Sequence, residues 1–348
     1  MSINNVLLQP AGALPHLMKQ VLNRLRTYET LSREEAKEVL LAINAGYVNE
    51  HQVTAFMSVY MMRRPSIAEL SGFRDALLEQ GVVPGLEAVE AIDIVGTGGD
   101  GKNTFNISTL SAIVVAGAGY KVIKHGNHGA TSVSGSSDVL EYLGYRFTTE
   151  ARVLNRQLET ANITFLHAPL FHPAMKRVAH IRRNLGVRTF FNLLGPVSNP
   201  AQPGFLLLGA NSLPVARMYH YLLQDAGQEY RVVYSLDGYD ELSLTGEAKL
   251  LGPATDRILS PADFGYAAIA PQELEAGDGV QQAATIFKAV LDNTATRAQQ
   301  QVVIANSALA IQCRSGLPLA DCMAQAEESL RSGKALSVFQ QLLKTTLL

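Results

Sequence analysis

Near residue 90 the hydrophobic pattern of the chain changes period, and that change limits the folds open to it. Before it, apolar residues fall at helical spacing only, with Leu14, Leu17, Met18, Val21, Leu22 and Leu25 forming one stripe. The stretches SREE (Ser32 to Glu35) and SIAE (Ser66 to Glu69) are capping boxes, which satisfy the exposed amides of a helix start. Gly46 and Gly81 stand where such helices stop. From Ala91 onward the short apolar runs AIDIV, YKVIK, ITFLHA, FLLLGA and YRVVYSL alternate with helical segments such as LPVARMYHYLLQDAG. Alternation of this kind predicts a mostly parallel sheet covered by helices on both faces. From about Val280 the chain returns to long helices. The expected fold class is α/β: a small all-helical domain over 1–88, joined by a helical segment near 174–197, and a larger α/β domain over 89–348.

Where the first strand ends, DIVGTGGDGKNTFNIST places Gly96, Gly98, Gly99 and Gly101 within six positions. A strand, a glycine loop and a helix starting near Asn106 make an anion site, because bare backbone amides approach phosphate oxygens and the helix N-terminus adds partial positive charge. A tight turn alone needs one or two glycines. Asp100 and the hydroxyls of Thr104, Ser108 and Thr109 add polar groups beyond what a turn requires. The spacing is neither the dinucleotide G-x-G-x-x-G nor a Walker loop with its Lys-Ser/Thr pair. A second loop, KHGNHGATSVSGSSD (Lys124 to Asp138), again leaves a strand and opens a helix. It carries Lys124, His125, Asn127, Ser132, Ser134 and Ser136 among small residues. Two such loops at the ends of neighbouring parallel strands suit a ligand phosphorylated at more than one place.

These motifs carry a resemblance. GTGGDGKNTFNIST and KHGN…SGSSDVLEYLG resemble the signature loops of the anthranilate phosphoribosyltransferases, and HAPLFHPAMKRVAHIRRNLGVRTFFNLLGPVSNPA and DGYDELSLTG are similar to that family's third and fourth motifs. The resemblance implies transfer of ribose 5-phosphate from phosphoribosyl pyrophosphate (PRPP) to the amine of anthranilate, the second step of tryptophan biosynthesis from chorismate, with Mg2+. It also implies a helical domain through which two copies pair as a homodimer.

By the same resemblance, Gly96, Gly99, Asp100, Thr104, Asn106, Ser108, Thr109, Lys124, Ser132 and Ser136 surround PRPP. Ser108, Asp240 and Glu241 are the implied magnesium ligands, since that ion prefers oxygen donors and substrate phosphates. Gly96, Asn127, His172, Arg182 and Pro196 are the implied anthranilate contacts, with Arg182 taking the carboxylate bidentately. Lys124, Asn127 and Arg182 are the residues expected to matter most for the reaction. His172 and Arg182, ten positions apart, are expected on one side of a single helix. At His128 the pattern departs from the Arg usual in the family, which removes a permanent charge beside the second loop.

Two other readings exist. A pyrimidine nucleoside phosphorylase on the same fold would share the phosphate loops, but the Asp240-Glu241 pair and the complete GTGGDG…TFNIST argue against it. A nucleic-acid-binding relative on the same scaffold would need a basic surface, and the formal net charge is −2. The chain has no run long and apolar enough to span a membrane, no secretory pattern at its start, and only two cysteines without metal spacing. No membrane and no nucleic-acid partner are expected, and the expected location is the cytoplasm.

Overall fold

The computed structural model describes residues 14–129 and 134–345. It divides into two compact units. One contains the described residues up to Val82 together with Pro169–Pro200, and the other contains Val83–Ala168 and Ala201 onward.

The first unit is helical: α1 (Leu14–Arg26), α2 (Arg33–Ala45), α3 (Glu50–Met62) and α4 (Ile67–Glu79). Both capping boxes form. Ser32 Oγ accepts from the Glu35 amide and Ser66 Oγ from the Glu69 amide, while each glutamate returns to its serine's amide. Gly46 closes α2 in the left-handed conformation, φ 82°. α4 ends at Glu79 with Gln80 as its cap, and Gly81 follows directly, its amide donating to the Leu78 carbonyl without a left-handed backbone. Met18, Val21, Leu25, Leu40, Phe56, Phe73 and Phe190 are buried in this unit, where the last three rings meet edge-on or tilted.

The second unit carries β1 (Ile92–Gly96), α5 (Ile107–Gly117), β2 (Val122–Gly126), α6 (Ser136–Tyr142), α7 (Ala151–Ala161) and β3 (Ile163–His167). The chain then makes α8 (Ala168–Phe171) and α9 (Lys176–Leu185) before returning as β4 (Phe205–Gly209), α10 (Leu213–Asp225) and β5 (Glu229–Ser235). β6 (Ala248–Gly252), β7 (Thr255–Leu259), α11 (Val280–Leu291), α12 (Arg297–Ser315), α13 (Leu319–Arg331) and α14 (Lys334–Thr345) follow.

Among the described residues one sheet forms in the order β3-β2-β1-β4-β5-β6-β7. The first five strands are parallel, while β6 and β7 are antiparallel additions at one edge. The order reverses at β1, whose neighbours are β2 and β4, and such a switch point opens a crevice at the strand ends. α5 is buried from Thr109 to Ala116, packed against α12 and α14, so the helix that follows the glycine loop is fixed by the core.

Candidate active site

The glycine loop leaves β1 at the switch point. Gly98, Gly99 and Gly101 all have left-handed backbones, φ 65°, 71° and 75°. Three of the four glycines are therefore demanded by the path of the turn itself. Gly96 has another reason. A Cβ there would collide with the carboxylate of Asp240, and a Cβ on Gly209, its register partner on β4, would collide with the Asp240 carbonyl. The sequence reading gave the turn one or two of these glycines and the excess to a phosphate. The structure gives three to the turn and one to a close approach by an acid.

The loop is tethered on several sides. Thr97 N–H donates to the Gly209 carbonyl, Asn211 Nδ2 to the Gly98 carbonyl at 3.0 Å, and Phe105 N–H to the Leu274 carbonyl. Asp100 Oδ1 accepts from the Lys102 amide at 3.0 Å, and Thr104 bridges to Glu275. The Lys102 ammonium stands 4.7 Å from the centre of the Tyr239 ring, beside the acid pair in sequence. Lys102, Asn211 and Tyr239 were not singled out from the sequence, although Lys102 lies within GTGGDGKNTFNIST and Tyr239 within DGYDELSLTG.

Asn106 caps α5, and its Nδ2 donates to the Ser134 carbonyl at 3.2 Å, joining the two loops. The Asn106 Oδ1, Thr109 Oγ1 and Ser134 Oγ atoms are buried without a partner among the described residues. Buried polar atoms left this way are costly unless a ligand completes them. In the second loop, Ser136 Oγ donates to the Asn127 carbonyl at 3.2 Å, and Asn127 itself is exposed. Ser132 lies outside the described residues. His128, expected beside phosphate, has its Nδ1 2.7 Å from Asp138 Oδ1. Asp138 also accepts from the amides of Gly129 and Gly135. Burial pushes Asp138 up, but these amides and His128 pull it below the ordinary carboxylate value.

Charge is concentrated where the loops meet β5's exit. Lys124 is buried and donates to the Ile94 carbonyl and, at 3.3 Å, to Ser108 Oγ. Burial lowers its pKa, while Asp93, Glu241 and Asp240 push back. The Gly98 amide donates to Asp240 Oδ2 at 2.5 Å, and the Ser108 amide to Glu241 Oε1 at 2.9 Å. Both acids are pushed upward, Asp240 by burial and then by Asp100, and Glu241 by burial and then by Asp240. Two adjacent desolvated carboxylates with few donors fit a divalent cation. Among the described residues no group of three or more His, Cys, Asp or Glu forms a ready metal cage. Further oxygens would have to come from Ser108, from substrate or from water.

His172, Arg182 and Pro196 belong to the helical unit. The expected single helix is broken. His172 precedes Pro173, which disfavours helical backbone at His172, and a 3-10 turn over Pro173–Met175 intervenes before α9. His172 is buried with Nε2 donating to the Ser198 carbonyl at 2.8 Å, so the proton sits on that nitrogen. Pro196 is buried in the 3-10 turn Gly195–Val197, whose Val197 carbonyl accepts from Arg74 Nε at 2.7 Å. Arg182 closes α9 with its guanidinium 5.4 Å from the centre of the Phe191 ring, and burial alone lowers its pKa. Arg183 beside it is exposed.

Comparison with known proteins agrees across both units. Residues 88–336 match the glycosyl transferase family a/b domain, and residues 19–81 match the helical bundle domain of the same family. The anthranilate phosphoribosyltransferase of Cytophaga hutchinsonii is 52% identical over 328 residues, covering 94% of this chain and 100% of that one. The crystal structure of anthranilate phosphoribosyltransferase from Thermus thermophilus superposes with a TM-score of 0.88 at 32% identity, covering 94% of this chain and 99% of that one. The Saccharomyces cerevisiae enzyme in complex with PRPP and Mg gives a TM-score of 0.86 at 26% identity, covering 95% of this chain and 98% of that one.

Proposed function

The chain belongs to the anthranilate phosphoribosyltransferase family, and from that premise we propose that it transfers the 5-phosphoribosyl group of PRPP to anthranilate, releasing pyrophosphate. The observation that carries this reading is the pair of buried Asp240 and half-buried Glu241 beside Lys124 and the glycine loop, an oxygen-rich cradle for a metal-bound pyrophosphate. As C1 of the ribose separates from pyrophosphate, positive charge develops on the sugar and negative charge on the leaving group. Loop amides and the Lys124 ammonium stabilise the second, and they do so best where burial excludes water.

Gly96, Gly99, Asp100, Thr104, Asn106, Ser108, Thr109, Lys124, Ser132 and Ser136 form the proposed PRPP set. The buried oxygens of Thr109 and Asn106 that lack a partner among the described residues support it. Asp240, Glu241 and Ser108 are the proposed magnesium ligands. When bound, the cation offsets the charge of the pyrophosphate and makes it a better leaving group. Arg182, Asn127, Gly96, His172 and Pro196 form the proposed acceptor set. Arg182 has no carboxylate partner among the described residues, which leaves its guanidinium for the acceptor's acid group. His172, held by the Ser198 carbonyl, acts through its shape rather than as a base. Anthranilate's amine is neutral at pH 7, attacks C1 directly, and releases its proton once the new C–N bond has formed.

The proposal includes a homodimer formed through the helical unit, supported by the exposed side chains of Tyr28, Met61 and Met62 there. It also includes a cytoplasmic site of action, supported by two buried cysteines that form no disulfide. No helix among the described residues is long and apolar enough to cross a membrane. The test is direct: mix the protein with PRPP, anthranilate and Mg2+ and follow anthranilate fluorescence. Decay that requires all three supports the proposal, and a reaction that instead consumes inorganic phosphate and a nucleoside replaces it.

A further inference from the structure

The backbone donors best placed for a phosphate already have acceptors, and these are the chain's own acids. The Gly98 amide and, at 3.4 Å, the Thr97 hydroxyl both reach Asp240 Oδ2. The Ser108 amide, in the first turn of α5, reaches Glu241 Oε1. The approach is written into two neighbouring strands, because Gly96 and Gly209, paired in register, both lack the Cβ that would collide with Asp240. An N–H makes one strong hydrogen bond, so a phosphate oxygen and a carboxylate compete for each of these amides.

We infer that Asp240 and Glu241 serve as internal placeholder anions, holding the glycine loop and the start of α5 in phosphate-binding shape while blocking those donors until a divalent cation draws the carboxylates away. The inference rests on the functional reading above and adds a role for the same acids in binding order. Asp240 is buried and Glu241 half-buried, and each holds few donors, so a cation offers it a far better partner than an amide does. The released amides then face an anion instead of the acid. A pyrophosphate arriving without a cation meets occupied donors and two fixed carboxylates. The metal acts as the key to the anion site as well as part of its content.

The distinguishing experiment titrates inorganic pyrophosphate by calorimetry into wild type, Asp240→Asn and Glu241→Gln, each in EDTA and in excess Mg2+. Neutral carboxamides keep the shape of the acids but compete less well for an amide. In EDTA the two variants are expected to bind pyrophosphate about tenfold or more tightly than wild type, and to lose most of the gain from Mg2+. Asp237→Asn is the charge-matched control. Asp237 lies on the same turn and is exposed, and its carboxylate accepts from Thr245 rather than from a loop amide. If Asp237→Asn tightens metal-free binding as much as Asp240→Asn, simple repulsion explains the effect and the placeholder role is overturned. If neither Asp240→Asn nor Glu241→Gln tightens it, the role is overturned as well. Wild type that fails to bind pyrophosphate even with Mg2+ overturns the functional reading itself, a result distinct from the other two.

Discussion

Each unit buries carboxylate, and the two treat it in opposite ways. In the helical unit Glu69 is 0% exposed and surrounded by donors. Arg63 reaches it bidentately at 2.8 and 2.7 Å, and the Tyr60 hydroxyl and the amides of Ser66 and Leu31 add three more bonds. Burial pushes Glu69 up, yet Arg63 and the other donors outweigh it and leave the acid below the ordinary value. In the α/β unit Asp240 is also buried and Glu241 half-buried, but desolvation and the repulsion of a neighbouring acid (Asp100 for Asp240, Asp240 for Glu241) win, and both end above it. A carboxylate with every lone pair satisfied is part of the framework. A pair left short of donors is held ready for something else.

That contrast can be broken in stability first. Glu69→Ala strands the Arg63 guanidinium, the Tyr60 hydroxyl and two amides, and a buried ion pair broken on one side costs about 3–5 kcal/mol. Urea denaturation reads the loss directly, and turnover per folded molecule is expected to hold. The reverse pattern is expected for the double variant Asp240→Asn/Glu241→Gln. Its turnover should fall by roughly 10²–10³-fold, the scale of losing a transition-state electrostatic contact, with the fold intact by circular dichroism.

The helical unit sharpens the comparison with a charge of its own that lacks compensation. Arg182 is lowered by burial with no acid to offset it. If it holds the acceptor's carboxylate, Arg182→Ala loses a charge-assisted contact of about 1.5–3 kcal/mol. That is about a tenfold to hundredfold rise in the Kd for anthranilate, with PRPP affinity little changed. Equal weakening of both substrates would make Arg182 part of the framework, alongside Arg63.

His167 shows a third treatment, a buried group kept neutral. Its Nδ1 lies 2.8 Å from Ser137 Oγ and its ring stacks on Phe147. Burial, then His128, push its pKa down to about 4, partly opposed by Asp138. A folded-state value below the unfolded one near 6.5 means the contribution is complete above pH 6.5 and lost as pH falls through 4. Melting curves between those limits should show His167→Gln losing less stability on acidification than wild type, by on the order of 1 kcal/mol.

Local features were legible in the sequence. The boxes at Ser32 and Ser66 need only residues three apart, and β1 to β5 announce themselves as short apolar runs. The β6–β7 hairpin went unseen because AKLLG and TDRIL mix charge into the strands and β7 is largely exposed. The Gly-Pro-Ala stretch between them was the available signal. Glu69 read only as a capping residue, since its contacts with Leu31, Tyr60 and Arg63 depend on helix packing. The glycine loop was found, but its reason was half hidden. Asp240 reaches Gly96 and Gly98 across the sheet, and no sequence spacing encodes that approach. The break at Pro173 was legible from the proline and was overridden by the helical spacing of His172 and Arg182.

The contrast between the two kinds of buried acid predicts stability changes of opposite sign, and one set of melting curves decides it. Wild type, Glu69→Gln and Asp240→Asn/Glu241→Gln are melted side by side in EDTA at several pH values. The account predicts that Glu69→Gln melts below wild type, while the double variant melts a few degrees above it. The gap above wild type should widen with rising pH, because acids whose folded-state pKa is raised lose stability as they deprotonate. A double variant that melts below wild type at neutral pH would mean that Asp240 and Glu241 hold the fold together as Glu69 does, and would contradict the account.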